Sequence, residues 1–120
     1  MPILDIEFVL QPGETIRAGL AAEIADRAGE IFVTPKGGTW VKLHPIQPDH
    51  YAENGAVSGD EIYPVFVSVL KAHLPASGAL LAEAVSLTAA IALVCGRPPE
   101  NVHIIYEPPG TGRIAFGGKV

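Results

Sequence analysis

Residues 3–10 alternate along the chain: Leu4, Ile6, Phe8 and Leu10 fall on one side, and Ile3, Asp5, Glu7 and Val9 on the other. That period of two predicts a strand. Gln11-Pro12-Gly13 breaks it. From Glu14 to Ala28 the apolar positions Ile16, Leu20, Ile24 and Ala28 recur every four residues, which predicts a helix buried along one stripe. Arg17, Glu23, Asp26, Arg27 and Glu30 lie largely off that stripe. After the turn Pro35-Lys36-Gly37-Gly38, residues 39–45 (TWVKLHP) read as a second strand. Residues 64–71 (PVFVSVLK), 77–95 and 101–107 (NVHIIYE) then run through strand, helix and strand again.

The two halves correspond position by position. Pro64-Val65 falls 62 residues after Pro2-Ile3, and Val102 falls 61 after Val41. The tails Ala52-Glu53-Asn54-Gly55 and Ala115-Phe116-Gly117-Gly118 lie 63 apart. A small drift of this kind is what a diverged duplication leaves, with pseudo-repeats 1–62 and 63–120 forming one domain over residues 1–120. Each β-α-β unit lays two parallel strands under a crossover helix. Joined, they predict an α/β (α+β) fold: a four-stranded mixed sheet with both helices on one face. The second helix carries Glu83 as its only charge, so it reads as buried nearly all round. A chain of 120 residues has little material for that, and a symmetric oligomer is the expected solution.

Composition narrows the function. Lys and Arg total 8 against 13 Asp and Glu, a net charge of −5, with no cluster of basic residues. No nucleic-acid footprint is expected. The single cysteine, Cys95, excludes an internal disulfide and suits a reducing cytoplasm. It sits in an apolar, alanine-rich run and reads as a packed thiol. Residues 1–15 carry acids and lack a basic leader region. Residues 79–94 are apolar but shorter than a membrane span and contain Glu83, Ser86 and Thr88. A buried helix fits them better, and no membrane contact is expected. His44, His50, His73 and His103 show no metal-ligand spacing, and no phosphate-cradling glycine loop is present. No cofactor or metal is called for.

Pro2 carries the most specific chemistry. Inside a chain a proline nitrogen is an amide without basicity. If Met1 is trimmed, as is usual before proline, the nitrogen becomes a secondary amine. A free α-amine titrates at about 7.7–8.0, and burial or nearby cations lower it into the range of a general base.

A proline next to the start of a duplicated β-α-β chain resembles the plan of the tautomerase superfamily. Residues 102–118 (VHIIYEPPGTGRIAFGG) resemble the last strand and hairpin of the 4-oxalocrotonate tautomerases (4-OT). Residues 96–102 (GRPPENV) are similar to a helix-to-strand turn of the macrophage migration inhibitory factor branch. The resemblance spans the chain in outline and the last 25 residues in detail. It implies a homotrimer, Pro2 as general base, a small carboxylate substrate, and enol–keto proton transfer on a 2-oxo acid. Relatives on this plan also hydrate, dehalogenate or decarboxylate small unsaturated acids, for which Glu7, Glu53 or Glu107 would position water. A non-catalytic binding role is the remaining alternative.

The substrate-binding candidates follow from the resemblance. Lys36 lies in the turn where one branch has a lysine, Lys42 in the second strand, and Arg113 in the C-terminal hairpin. Tyr51 and Tyr106 are candidate donors to an enolate. Each also has a plain reading as a solvated or packed residue. Arg97 has the closer local match but belongs to the second unit, beside Pro64, which is always internal. Trp40 and Phe116 would shape a pocket or fill an interface, and Asp5 and Glu7 would line a trimer interior. Where the 4-OT branch has an arginine before its first helix, this chain has Gln11-Pro12-Gly13-Glu14, which favours a monoacid or an aromatic 2-oxo acid over a dicarboxylate.

Overall fold

A computed structural model describes residues 1–55 and 62–120; residues 56–61, at the end of the first pseudo-repeat, lie outside that description. The chain forms β1 (Ile3–Val9), α1 (Leu20–Phe32), β2 (Trp40–Ile46), β3 (Val65–Leu70), α2 (Ser77–Cys95) and β4 (Val102–Tyr106), with short 3₁₀ turns at Pro48–His50 and Pro99–Asn101. The sheet order is β2-β1-β3-β4. β1 and β2 are parallel, as are β3 and β4, and the two units join antiparallel through β1 and β3. This is the mixed sheet that the duplicated pattern predicts.

The alternation in β1 puts Leu4, Ile6 and Phe8 against the helices with Val65, Val67 and Val69 of β3, all at most 2% exposed. Leu20, Ile24 and Ala28 of α1 and Leu87, Ile91 and Ala92 of α2 close this core. The opposite face carries Ile3, Asp5 and Glu7, flanked by Trp40, Lys42 and His44 on one side and Phe66 and Ser68 on the other.

One expectation needs correction. The first helix begins at Leu20, not Glu14, and runs on to Phe32. Gly13 and Gly19 both have positive φ, 78° and 85°, so the chain turns twice before the helix starts. The stripe Leu20, Ile24, Ala28 is buried as expected, while Ile16 packs against the core from the loop. In α2 the burial within one chain is one-sided. Leu87, Ile91, Ala92 and Cys95 are buried, but Leu81, Val85 and Leu93 are 67%, 61% and 72% exposed. Within one chain the helix is covered on one side only, because the sheet presents a single face to it. By length and apolarity alone α2 would suffice to cross a membrane.

Parallel pairing inside each unit and antiparallel pairing between them have one consequence for chemistry. β1 and β2 start, and β3 and β4 finish, at the same end of the sheet. Pro2 lies at that end.

Candidate active site

Pro2 is buried, and its carbonyl accepts the Trp40 N–H at 3.0 Å, which fixes it to the first residue of β2. Strand alternation gives it the helix-facing side, as for Leu4. Ile3 pairs with Leu70 across β1 and β3, so Pro2, just before β1, and Lys71, just after β3, lie at the same end of the sheet. With Met1 attached, the Pro2 nitrogen is a tertiary amide; only its release makes it a base.

The α1–β2 turn borders this end. Val33 caps α1 in a left-handed conformation, φ 55°, and Thr34 and Thr39 share a hydroxyl hydrogen bond at 2.6 Å across the turn. A Cβ on Gly38 would sit 2.9 Å from both the Pro35 carbonyl and the Thr34 Cβ, so the turn closes only with glycine there. Lys36 stands in this turn, on a groove of about 650 Å³ that it shares with Asp26, Glu30, Thr34 and Thr39. Pro2 does not line that groove. Gly96 caps α2 as Val33 caps α1. The residue following each cap is Thr34 in the first unit and Arg97 in the second, so Lys36 is not the counterpart of Arg97.

Sequence reading missed a cluster at the same end of the sheet. Lys71 Nζ donates to Glu83 Oε1 at 2.7 Å, and the Tyr106 hydroxyl donates to Glu83 Oε2 at 2.8 Å. The Lys71 ammonium also lies 4.8 Å from the centre of the Phe32 ring. The Lys71 and Glu83 side chains are only 18% and 12% exposed. Burial first, then the hydrogen bond and charge of Glu83, push the Tyr106 phenol well above its usual range. The signals were present: Glu83 is the only charge in an apolar helix, and Lys71 ends an apolar strand. Their pairing is a product of tertiary packing.

The remaining candidates are spread over the molecule. Arg113 is at the Pro2 end, where its Nη1 donates to the carbonyls of Pro108 and Pro109 at 3.2 and 2.9 Å. Nearby, Phe116 meets Trp40 edge-on, with ring centres 5.6 Å apart. Lys42 lies on the open sheet face with Nζ 3.6 Å from Asp5, whose other oxygen is 2.6 Å from His44 Nε2. Tyr51 follows β2 at the far end, donates to Glu53 at 2.6 Å, and packs on Phe66. Burial and Glu53 push its phenol up to about 12. Within one chain, then, Pro2 shares its end with Lys36, Lys71, Tyr106 and Arg113, while Lys42 sits on the sheet face and Tyr51 lies at the opposite end. Arg97 is also at that opposite end, 4% exposed in its side chain and bonded to Glu14, Val9 and Tyr63. Cys95 is buried, and that burial raises its thiol to about 11, in keeping with a packed thiol.

Solved structures match this architecture from end to end. A fused 4-OT, solved as a symmetric trimer, superposes with a TM-score of 0.76 at 15% identity, over 98% of this chain and 94% of that one. The chain has the fold of the tautomerase superfamily. The macrophage migration inhibitory factor of Oncomelania hupensis gives a TM-score of 0.71 at 19% identity, over 100% of this chain and 81% of that one. FG41 malonate semialdehyde decarboxylase, inhibited by 3-bromopropiolate, gives 0.68 at 16% identity, over 98% and 92%. No family model matches the sequence, and no curated protein matches it. Likeness at these identities establishes the tautomerase fold and leaves residue roles to be argued from this chain.

Proposed function

We propose that this protein is a cofactor-independent tautomerase of small 2-oxo acids, working in the cytoplasm as a homotrimer, with Pro2 as general base after Met1 is removed. The observation that carries this reading is the placement of Pro2: buried, at the head of the central strand pair, at the end where Lys36, Lys71, Tyr106 and Arg113 gather. The fold neighbours include a 4-OT and a decarboxylase, which supports acid chemistry on this scaffold.

The mechanism is proton transfer at one base. The secondary amine of Pro2 takes a proton from an enol oxygen or a carbon of the substrate and returns it elsewhere on the same skeleton. A cation at this end, from Lys36, Arg113 or a neighbouring copy's Lys42, holds the carboxylate and spreads the charge that builds up in the transition state. Holding a planar acid against a fixed base also removes the entropy of bringing them together. Pro64 keeps the fold position in the second unit and never becomes an amine, so each chain contributes one working base.

The test is ultraviolet-monitored ketonisation of phenylenolpyruvate by wild type and Pro2→Ala, with the N-terminal mass measured on both. Wild-type turnover that falls about 100-fold or more in the variant is expected, the usual scale for losing a positioned base. Full activity in Pro2→Ala would sink the mechanism. A second reading, hydration, dehalogenation or decarboxylation of a small unsaturated acid, rests on Glu107, a carboxylate that directly follows β4 at the Pro2 end. It predicts that Glu107→Gln abolishes turnover of such an acid.

A further inference from the structure

We propose that Glu83 sets the charge preference of the Pro2 site by occupying Lys71, so that an acid ligand must compete with an internal carboxylate for that cation. The inference rests on the reading above, that the Pro2 end receives a small acid, and deepens it by naming what limits acid binding there.

Lys71 follows Leu70, the register partner of Ile3, so it lies at the end of the sheet where Pro2 precedes β1, and its contacts with Phe32 of α1 and Glu83 of α2 put it on the helix-facing side. Its charge is not free. Glu83 accepts from Nζ at 2.7 Å, and its second oxygen is held by Tyr106 at 2.8 Å, so the carboxylate is anchored at both oxygens. With the two side chains largely out of water, the attraction is stronger than at an open surface. The pair is neutral as a whole. An ammonium is a point charge on a flexible stem with three donors, and Lys71 uses one on Glu83 while its charge rests over Phe32. It is therefore able to turn toward a second carboxylate, at the expense of the first. A neutral amide of the same shape can accept a hydrogen bond from Lys71 but gains none of the attraction between full charges, so it competes with Glu83 far less.

Removing the charge of Glu83 while keeping its shape separates these cases. Glu83→Gln leaves an amide oxygen for Lys71 and frees most of its charge. Titration calorimetry with trans-cinnamate and trans-cinnamamide, a planar acid and its neutral counterpart, reads the difference on wild type and variants. In Glu83→Gln, cinnamate should tighten about tenfold, the scale of one charge-assisted hydrogen bond, while cinnamamide stays within about twofold of wild type. Adding Lys71→Met should cancel that gain. Unchanged or weaker cinnamate binding in a folded Glu83→Gln overturns the proposal, as does no cinnamate binding in any variant. If Glu83→Gln fails to fold, Tyr106→Phe decides. It removes one anchor of Glu83 and should tighten cinnamate about threefold, a fraction of the same hydrogen bond, and no tightening there overturns the proposal.

The phenylenolpyruvate assay keeps the two readings apart. Tighter cinnamate in Glu83→Gln without Pro2-dependent turnover removes the tautomerase reading and leaves the charge competition standing. Pro2-dependent turnover without tighter cinnamate removes only the competition.

Discussion

The guanidinium of Arg97 lies 4.6 Å over the Phe8 ring, donates to the carbonyls of Tyr63 and Val9 at 2.9 and 3.0 Å, and meets Glu14 at 2.6 Å. It joins the ends of both β-α-β units at the edge farthest from Pro2. Removing it takes a donor from the Tyr63 and Val9 carbonyls and leaves Glu14 with the Gln11 N–H alone, so Arg97→Met should cost about 3–5 kcal/mol, read from the urea midpoint. Arg97→Lys would not rescue it fully, since a lysine cannot reproduce the fork. Glu14 gives the same clasp a pH dependence. Burial pulls its pKa upward, but hydrogen bonds from Arg97 and the Gln11 N–H, with the Arg97 charge, hold it below the ordinary value of 4.5. The folded state therefore resists protonation more than the unfolded state. Its contribution is complete above about pH 4.5 and is lost as pH falls through the folded value. Glu14→Gln should flatten the acid limb of a plot of urea midpoint against pH; an unchanged limb would mean that other carboxylates control it.

Among the elements, the end of α1 carries a local strain. Val33 holds φ 55° and ψ 50° at the helix C-cap, while α2 ends on glycine at the equivalent place. A β-branched residue in the left-handed region costs about 1–2 kcal/mol, and Val33 is 87% exposed, so it recovers little by burial. Val33→Gly should raise stability by about 1 kcal/mol after the loss of chain entropy in the unfolded state, visible as a higher melting temperature. A lower one would show that the Val33 side chain has a partner in the assembled protein. The late start of α1 has a related origin: the four-residue spacing from Ile16 onward was legible, but the spacing does not say where backbone conformation departs from helical. Gly19 makes that departure.

At the scale of the molecule, one chain leaves apolar surface uncovered. Val85 and Leu81 on α2 border a groove of about 510 Å³ shared with Val102, His103 and Ile104 of the edge strand β4, and Ile105 on its other face is 48% exposed. An open strand edge beside apolar side chains is a natural pairing surface. The homotrimer reading makes this an interface between copies. Sedimentation of the wild type should give a species of three chains, and Val85→Glu with Ile105→Glu should shift it toward one chain. A wild type that sediments as one chain at micromolar concentration would remove the homotrimer. Tyr51 and Lys42 belong to this scale as well, since only a neighbouring copy would bring them to a Pro2 site.

The sequence by itself determined the period-two strands, the repeated strand-helix-strand order, and Pro2 as a distinctive residue, because periodicity and a chain position are local properties. It also held every member of the Lys71–Glu83–Tyr106 cluster, each as an isolated polar residue in an apolar context. Tertiary structure alone decided which of these meet. Antiparallel pairing of β1 with β3 brings residues 71 and 2 to the same end of the sheet, and the packing of α2 on the sheet delivers Glu83 to both Lys71 and Tyr106. Likewise, only the fold turned Arg97 from a candidate ligand-binding cation into a buried clasp. Contacts between residues dozens of positions apart depend on register and helix rotation, which no single segment encodes.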